Sequence, residues 1–246
     1  HDTPARAYDQ LLGLIQRGLK RGGKIIIPAF AVGRAQTLVY YLHLMIDHGD
    51  LPRLPVYVDS PLATNVTEIF RQHQEDFDEE TLAFTRRDAD HSPFGFDMLS
   101  YTRSVEESKA INDVKEPVII ISASGMAETG RILHHLRNNI EEPRNLIILT
   151  SWMAPDRLGR RLLEGDKRVK IFGEEFEVRA EVGHIDGLSA HAGQDFLLTY
   201  ANALRGRVKQ VFLVHGEPRP VEILRQKMDK LGAPIHYPAL GDVVEV

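Results

Sequence analysis

Short apolar runs alternating with amphipathic stretches set the rhythm of this 246-residue chain. Lys24-Ile25-Ile26-Ile27-Pro28 is apolar at consecutive positions from Ile25 onward, which suits a strand covered on both faces better than one with a wet side. A helical pattern follows from about Arg34 to Asp47. Pro55-Val56-Tyr57-Val58 predicts a second strand, leading through Asp59-Ser60-Pro61 into a helix near 63–71. Residues from about Asp76 to Ser104 are polar, rich in Asp and aromatic residues and only weakly periodic, and read as helix fragments and loop on the outside of the fold. Pro117-Val118-Ile119-Ile120-Ile121 and Leu146-Ile147-Ile148-Leu149 predict two further strands, each followed by a helix, at about 128–139 and 157–163. After Gly165 the pattern changes. Val169–Phe172 and Glu177–Val182 read as a hairpin turning at Gly173. A helix at about 194–204, a strand at Val211–Val214, a helix at 220–231 and a terminal strand complete the series. Strand–helix alternation with short links predicts an α/β fold with mostly parallel sheets covered by helices.

Composition narrows the function classes. The chain is 43% hydrophobic and 26% charged, as in ordinary globular proteins. A net charge of −5 argues against a uniformly basic nucleic-acid binder while leaving room for a local basic patch. The absence of cysteine excludes disulfides, thiolate zinc sites and cysteine nucleophiles, and fits a cytoplasmic location. No apolar run approaches the roughly 18 residues of a membrane span. Opening on His1-Asp2-Thr3, the chain reads as a portion of a longer protein.

The loops at the carboxyl ends of the expected strands form a set: 28–34, Asp59-Ser60-Pro61, Ser122-Ala123-Ser124-Gly125-Met126 and Thr150-Ser151-Trp152. In an open parallel sheet such loops gather at one edge, where helix N-termini offer free amides to anionic ligands. Asp59 reads either as a buried acid at that edge or, more commonly, as a turn cap. Between Arg157 and Lys170, six basic residues (Arg157, Arg160, Arg161, Lys167, Arg168, Lys170) face two acidic ones, Glu164 and Asp166. Most such runs are solvated faces; beside an anion-binding edge this one is a candidate track for a phosphate backbone, extended by Arg131 and Arg137. Two histidines sit where the backbone changes direction. His191 lies just before a helical pattern and His215 at the end of an apolar strand. Imidazole binds metals and moves protons near neutral pH, and each position is also compatible with a purely structural role. His134 and His135, inside a helical pattern, read as one core-facing and one exposed ring.

Taken in order, Ile27-Pro28-Ala29-Phe30-Ala31-Val32-Gly33-Arg34-Ala35-Gln36, Tyr57-Val58-Asp59-Ser60-Pro61-Leu62-Ala63, Ser124-Gly125-Met126 with Gly130-Arg131, Leu158-Gly159-Arg160-Arg161, Leu188-Ser189-Ala190-His191 and Leu213-Val214-His215-Gly216-Glu217 resemble the second half of a β-CASP nuclease. That family is the RNA-processing branch of the metallo-β-lactamase superfamily. The nearest likeness is to bacterial proteins similar to the endonuclease subunit of the pre-mRNA 3′-end cleavage complex. The resemblance implies a mostly parallel-sheet β-CASP domain at residues 1–187 and the C-terminal portion of a metallo-β-lactamase αββα domain at 188–246. It implies zinc-dependent hydrolysis of single-stranded RNA in the complete protein, with two zinc ions. His191 matches the histidine of the second β-CASP motif, which donates a proton or binds the scissile phosphate. His215 matches a zinc ligand. Ser122, Ser124, Gly125, Arg131, Arg160 and Arg161 are the expected substrate-binding residues. A homodimer is compatible with the likeness; a membrane association is not expected.

The sequence departs from the family pattern in places. The His-x-His-x-Asp-His zinc motif and the acidic first β-CASP motif are absent, so the zinc site is incomplete in this chain and these residues alone are expected to be catalytically silent. Gly193 stands where the family usually has an aspartate, and Trp152–Arg157 differs from the usual Gly- and polar-rich loop. Two other classes remain open: a non-catalytic RNA-binding or scaffold subunit, and an unrelated nucleotide-binding α/β domain. The second lacks both a Gly-x-Gly-x-x-Gly and a Walker-type lysine loop.

Overall fold

Ile25–Ile27, Ile119–Ile121 and Leu146–Leu149 are almost wholly buried, and their alternate side chains enter two different cores. That is the arrangement their unbroken apolar character demands. A computed structural model describes residues 3–88, 91–189 and 191–244. In chain order its elements are α1 (Pro4–Arg21), β1 (Ile25–Pro28), α2 (Arg34–Asp47), β2 (Val56–Asp59), α3 (Pro61–Gln72), α4 (Glu79–Arg87), β3 (Leu99–Thr102), α5 (Val105–Ala110), β4 (Ile119–Ser122) and α6 (Arg131–Asn139). Then come β5 (Leu146–Leu149), α7 (Leu158–Leu163), β6 (Arg168–Ile171), β7 (Glu174–Glu177), β8 (Glu181–His184), α8 (Gln194–Ala203), β9 (Val211–Phe212), α9 (Pro218–Lys227) and β10 (Ile235–His236). Among the described residues, no helix is long and apolar enough to cross a membrane.

The chain divides into two compact units, Asp2–Ser189 and Ala190–Val246. In the first, six strands form one parallel sheet in the order β3-β2-β4-β1-β5-β8. Ile25 and Ile27 face one side and pack with Leu38, Val39 and Leu42 of α2. Ile26 and Ile120 face the other and pack with Ile132 and Leu136 of α6. An expected α/β fold is therefore present.

Several expectations need correcting. The structure adds α1 ahead of the first expected strand. Ala7, Leu11, Leu14 and Ile15 form its buried stripe at helical spacing, and the Thr3 hydroxyl caps its start by accepting from the Arg6 N–H at 3.3 Å. The 76–104 region is not all exterior loop. Its Leu99–Thr102 stretch is the edge strand β3, and Phe84 and Phe94 are buried. The hairpin is shorter than expected: β6 pairs with β7, and the chain turns through Phe172-Gly173. Glu181–His184 instead joins the main sheet beside β5. There Gly183 lets α1 pack close to the strand, since a Cβ would lie 2.6 Å from Leu14 Cδ2 and push that side chain aside.

In the second unit, β9 and β10 form a two-stranded parallel sheet with α8 and α9. Its core is small: Ala201, Met228 and Leu231 are buried, with Leu198, Val208, Val211, Leu213, Leu224 and Ile235 packed partly against them.

Candidate functional site

The carboxyl edge of the main sheet is organised around β1 and β4, adjacent strands whose following helices leave to opposite faces. A crevice opens where loop directions diverge in this way, which is where ligands of open parallel sheets bind. Here it is lined by Ala29, Ala31, Ser60, Ala63, Ser122 and Ala123, and encloses about 140 Å³ including its mouth. The Thr150 hydroxyl after β5 donates to the Pro28 carbonyl of β1 at 3.3 Å and ties two of the strand ends together.

Asp59, at the end of β2, is fully buried at 0% exposure and is the electrostatic centre of this edge. Its Oδ1 accepts from the Thr102 hydroxyl of β3 and from Arg131 Nη1 at 2.7 Å. Its Oδ2 accepts from the Ser108 hydroxyl of α5 and from His135 Nε2, each at 2.6 Å. Its main-chain carbonyl accepts from the Ser122 hydroxyl at 2.8 Å. Arg131 and His135 lie four residues apart on α6, so one face of that helix delivers both donors. Burial alone would push the Asp59 carboxyl up; the bonds from His135, Ser108, Thr102 and Arg131 outweigh it and hold the group well below the usual carboxylate range. Arg131 also donates from Nη2 to the Arg103 carbonyl at 2.7 Å. Asp59 is thus the buried acid of the two readings, and Ser60 does the capping, accepting from the Ala63 N–H at 3.2 Å.

Several of the expected substrate-binding residues have partners within the protein. Ser122 is 1% exposed and spends its hydroxyl inside the protein, so it supports the edge from below. Arg131 is anchored to Asp59 rather than extended into solvent. Gly125 packs under Phe30, since a Cβ there would sit 2.8 Å from Phe30 Cδ2. The Ser124 hydroxyl accepts from the Glu128 and Thr129 N–H groups at 3.2 and 3.4 Å. The N–H groups of Ser124, Ala127 and Ile132 also go to carbonyls of the loop. The basic run is largely paired. Arg157 meets Glu128 at 3.0 Å, Arg160 meets Glu164 at 2.6 Å, Arg161 meets Asp166 at 2.7 Å and Arg168 meets Glu175 at 3.7 Å. Two of those acids lie outside the run, which is why the local sequence overstated its charge.

His135 turns inward and His134 outward, where the His134 ring lies tilted against Phe172 with centroids 4.7 Å apart. The residues missed in the sequence are Thr102, Ser108 and His135. Only the Arg131/His135 spacing could have pointed to them.

His191 and His215 both belong to the second unit and are exposed. His191 precedes α8, whose N-cap is Gly193; Ala190 beside it lies outside the described residues. His215 follows β9 in a left-handed conformation, φ +68°, which costs a non-glycine residue about 1 kcal/mol. The turn is held by the Tyr237 hydroxyl, which donates to the Gly216 carbonyl at 2.8 Å. Gly216 is packed so closely that a Cβ would lie 2.4 Å from Val221 Cγ2. Zinc requires three or four converging N, O or S ligands. Among the described residues, no group of three His, Asp or Glu side chains could hold a metal. His215 therefore fits a zinc centre only as one ligand of a larger set.

Comparison with known proteins places these features in context. Residues 35–162 match the Beta-Casp domain model, and residues 175–238 match that of a Zn-dependent metallo-hydrolase RNA specificity domain. The chain is 36% identical over 251 residues to ribonuclease TTHA0252 of Thermus thermophilus, covering 100% of this chain and 56% of that protein. It is 34% identical over 218 residues to transcription termination factor FttA of Pyrococcus abyssi, covering 87% and 33%. An RNase J-like protein of Methanocaldococcus jannaschii is 32% identical over 208 residues, covering 85% and 46%. The chain thus spans between a third and just over half the length of these relatives.

Proposed function

We propose that this chain, which belongs to the β-CASP family of metallo-β-lactamase-fold ribonucleases, is the RNA-holding part of a metal-dependent ribonuclease that hydrolyses phosphodiester bonds in single-stranded RNA. Carrying this reading is a match to a ribonuclease that spans all of this chain and 56% of that protein; the strand-end edge of the first unit, where the 27–36, 57–63 and 124–131 stretches lie, supports it. We assign the first unit to the RNA clamp and the second to the returning portion of the metallo-β-lactamase domain. A cytoplasmic location and a homodimer are compatible with it.

In this reading His191 donates a proton to the leaving oxygen or holds the scissile phosphate, and His215 contributes one ligand to a pair of zinc ions. The remaining ligands come from polypeptide outside these 246 residues. When bound, zinc supplies Lewis-acid stabilisation of charge building on the phosphoryl oxygens. The Asp59 network does not touch substrate; it fixes the ends of β2, β3 and β4 and the start of α6, so that the loops above keep one geometry.

The test is His191→Ala in a protein that carries the complete zinc site. A general acid contributes roughly 10²–10⁴-fold, so cleavage of single-stranded RNA falls by about that factor while bound zinc stays at the wild-type level. Normal cleavage by that variant would overturn the role of His191. A second reading, a non-catalytic RNA-binding subunit, is favoured by Gly193, which gives α8 no side-chain cap where the family usually has an aspartate. It predicts RNA binding with neither zinc uptake nor cleavage in the complete protein.

A further inference from the structure

We propose that Trp152 and Phe30 form a platform on which bases of single-stranded RNA stack. The proposal rests on the ribonuclease reading above and names how its strand-end edge meets the substrate.

Both rings stand at neighbouring strand ends. Phe30 lies two residues beyond Pro28 of β1, and Trp152 three residues beyond Leu149 of β5, strands that pair directly. The Thr150–Pro28 hydrogen bond holds the two departing chains together. Phe30 is 40% exposed and Trp152 is 54% exposed, although each is a large apolar side chain. Phe30 is also held from beneath, because its ring rests on the bare backbone of Gly125 at the end of the β4 loop. The crevice beside it is lined by alanine methyls and serines and leaves no room for a base to insert. An aromatic ligand group must therefore lie on the rings rather than between the strands.

The strand-end loops around them carry both signs, Arg34, Arg131 and Arg157 beside Asp59, Glu128 and Asp156. Arg34 follows on the first turn of α2, and neither α2 nor α6 carries an acidic residue in its first turn. Exposed flat rings at a ligand-binding edge are a recurring means of holding single-stranded nucleic acid without reading its sequence, because every base has a π-face.

The chain has one tryptophan, so its intrinsic emission reports on Trp152 alone. The experiment titrates the 246-residue chain with a dye-labelled, mixed-sequence single-stranded oligoribonucleotide of about ten residues, following anisotropy and tryptophan emission together. Inorganic polyphosphate serves as the backbone without bases. We expect RNA to quench the emission and polyphosphate to leave it unchanged. Trp152→Ala and Phe30→Ala should each weaken the oligonucleotide Kd about tenfold, and Trp152→Phe should restore most of it. RNA binding without quenching, or with affinity unchanged in both alanine variants, overturns the platform and leaves the ribonuclease reading standing. Absence of any RNA binding overturns both. Emission that shifts with protein concentration but not with RNA makes the patch a protein-binding face, and that also overturns the proposal.

Discussion

The two units of this chain bury their apolar residues to very different degrees. In the first, Ile26, Ile120 and Ile147 lie in a sheet covered on both faces, and two large clusters account for nearly all of its apolar strand residues. In the second, among the described residues, a cluster of only three buried residues packs against a two-stranded sheet, while Phe196, Tyr200, Val214, Leu240 and Val243 are exposed. A parallel sheet with helices on both sides closes its own core; two short strands with one layer of helix leave apolar surface in water. Sequence pattern alone hides this difference, because both units show the same alternation of strand and helix. The candidate chemistry divides along the same line. The well-packed unit holds a rigid edge, and the thinly packed one carries the two histidines.

Equal truncations in the two units are the most direct way to break that comparison. Ile120 is fully enclosed between neighbouring strands and helices, so Ile120→Ala should cost about 4 kcal/mol. Met228→Ala in the second unit removes a side chain whose surroundings can relax or admit water, and should cost about 2 kcal/mol, the low end for such a truncation. Urea denaturation of both variants measures the pair. Equal losses would mean that the second unit is as well packed as the first.

Asp59→Asn probes the rigid edge and should cost about 3 kcal/mol, by leaving the Arg131 guanidinium without its buried anion. Acid dependence sharpens the point. The folded carboxyl titrates below its unfolded value, about 3.9 for an aspartate. As pH falls, the unfolded chain therefore takes up the proton first. The stabilisation is complete above about pH 3.9 and is lost as pH falls from there toward the folded value. The wild-type acid limb should be steeper than that of Asp59→Asn, and coincident limbs would show that the carboxylate is not held as described.

These residues also show where the sequence was readable. Ile25–Ile27 and Leu146–Leu149 announce buried parallel strands because burial on both faces leaves no polar position to interrupt them. The hydrophobic spacing of Ala7, Leu11, Leu14 and Ile15 was equally available, and α1 follows from it. Leu99–Thr102 hid as a strand because an edge position tolerates Ser100 and a half-buried Tyr101. The Asp59 network could be read only in part, from Asp59 as a candidate buried acid and from the four-residue spacing of Arg131 and His135. Its donors Thr102, Ser108, Arg131 and His135 lie 43, 49, 72 and 76 residues away, so only the sheet order brings them together. Likewise the arginines of the basic run looked free because Glu128 and Glu175 reach them from other elements.

The smallest effect tests whether the second unit is tuned for stability or for geometry. Gly193 caps α8 with φ −69° and ψ 165°, an extended conformation in which an aspartate fits without strain and can accept from the first turn of the helix. Aspartate exceeds glycine at such a position by only a few tenths of a kcal/mol. Gly193→Asp should therefore raise the urea midpoint slightly, and the new anion would also favour the helix dipole. If the residue serves only the helix, the RNA cleavage proposed for a protein that carries the complete zinc site should be unchanged. If it orients His191, two residues earlier, cleavage should shift far more than stability does. The ratio of the two effects decides between the roles, because a cap worth a few tenths of a kcal/mol alters a rate by less than twofold when it acts through stability alone.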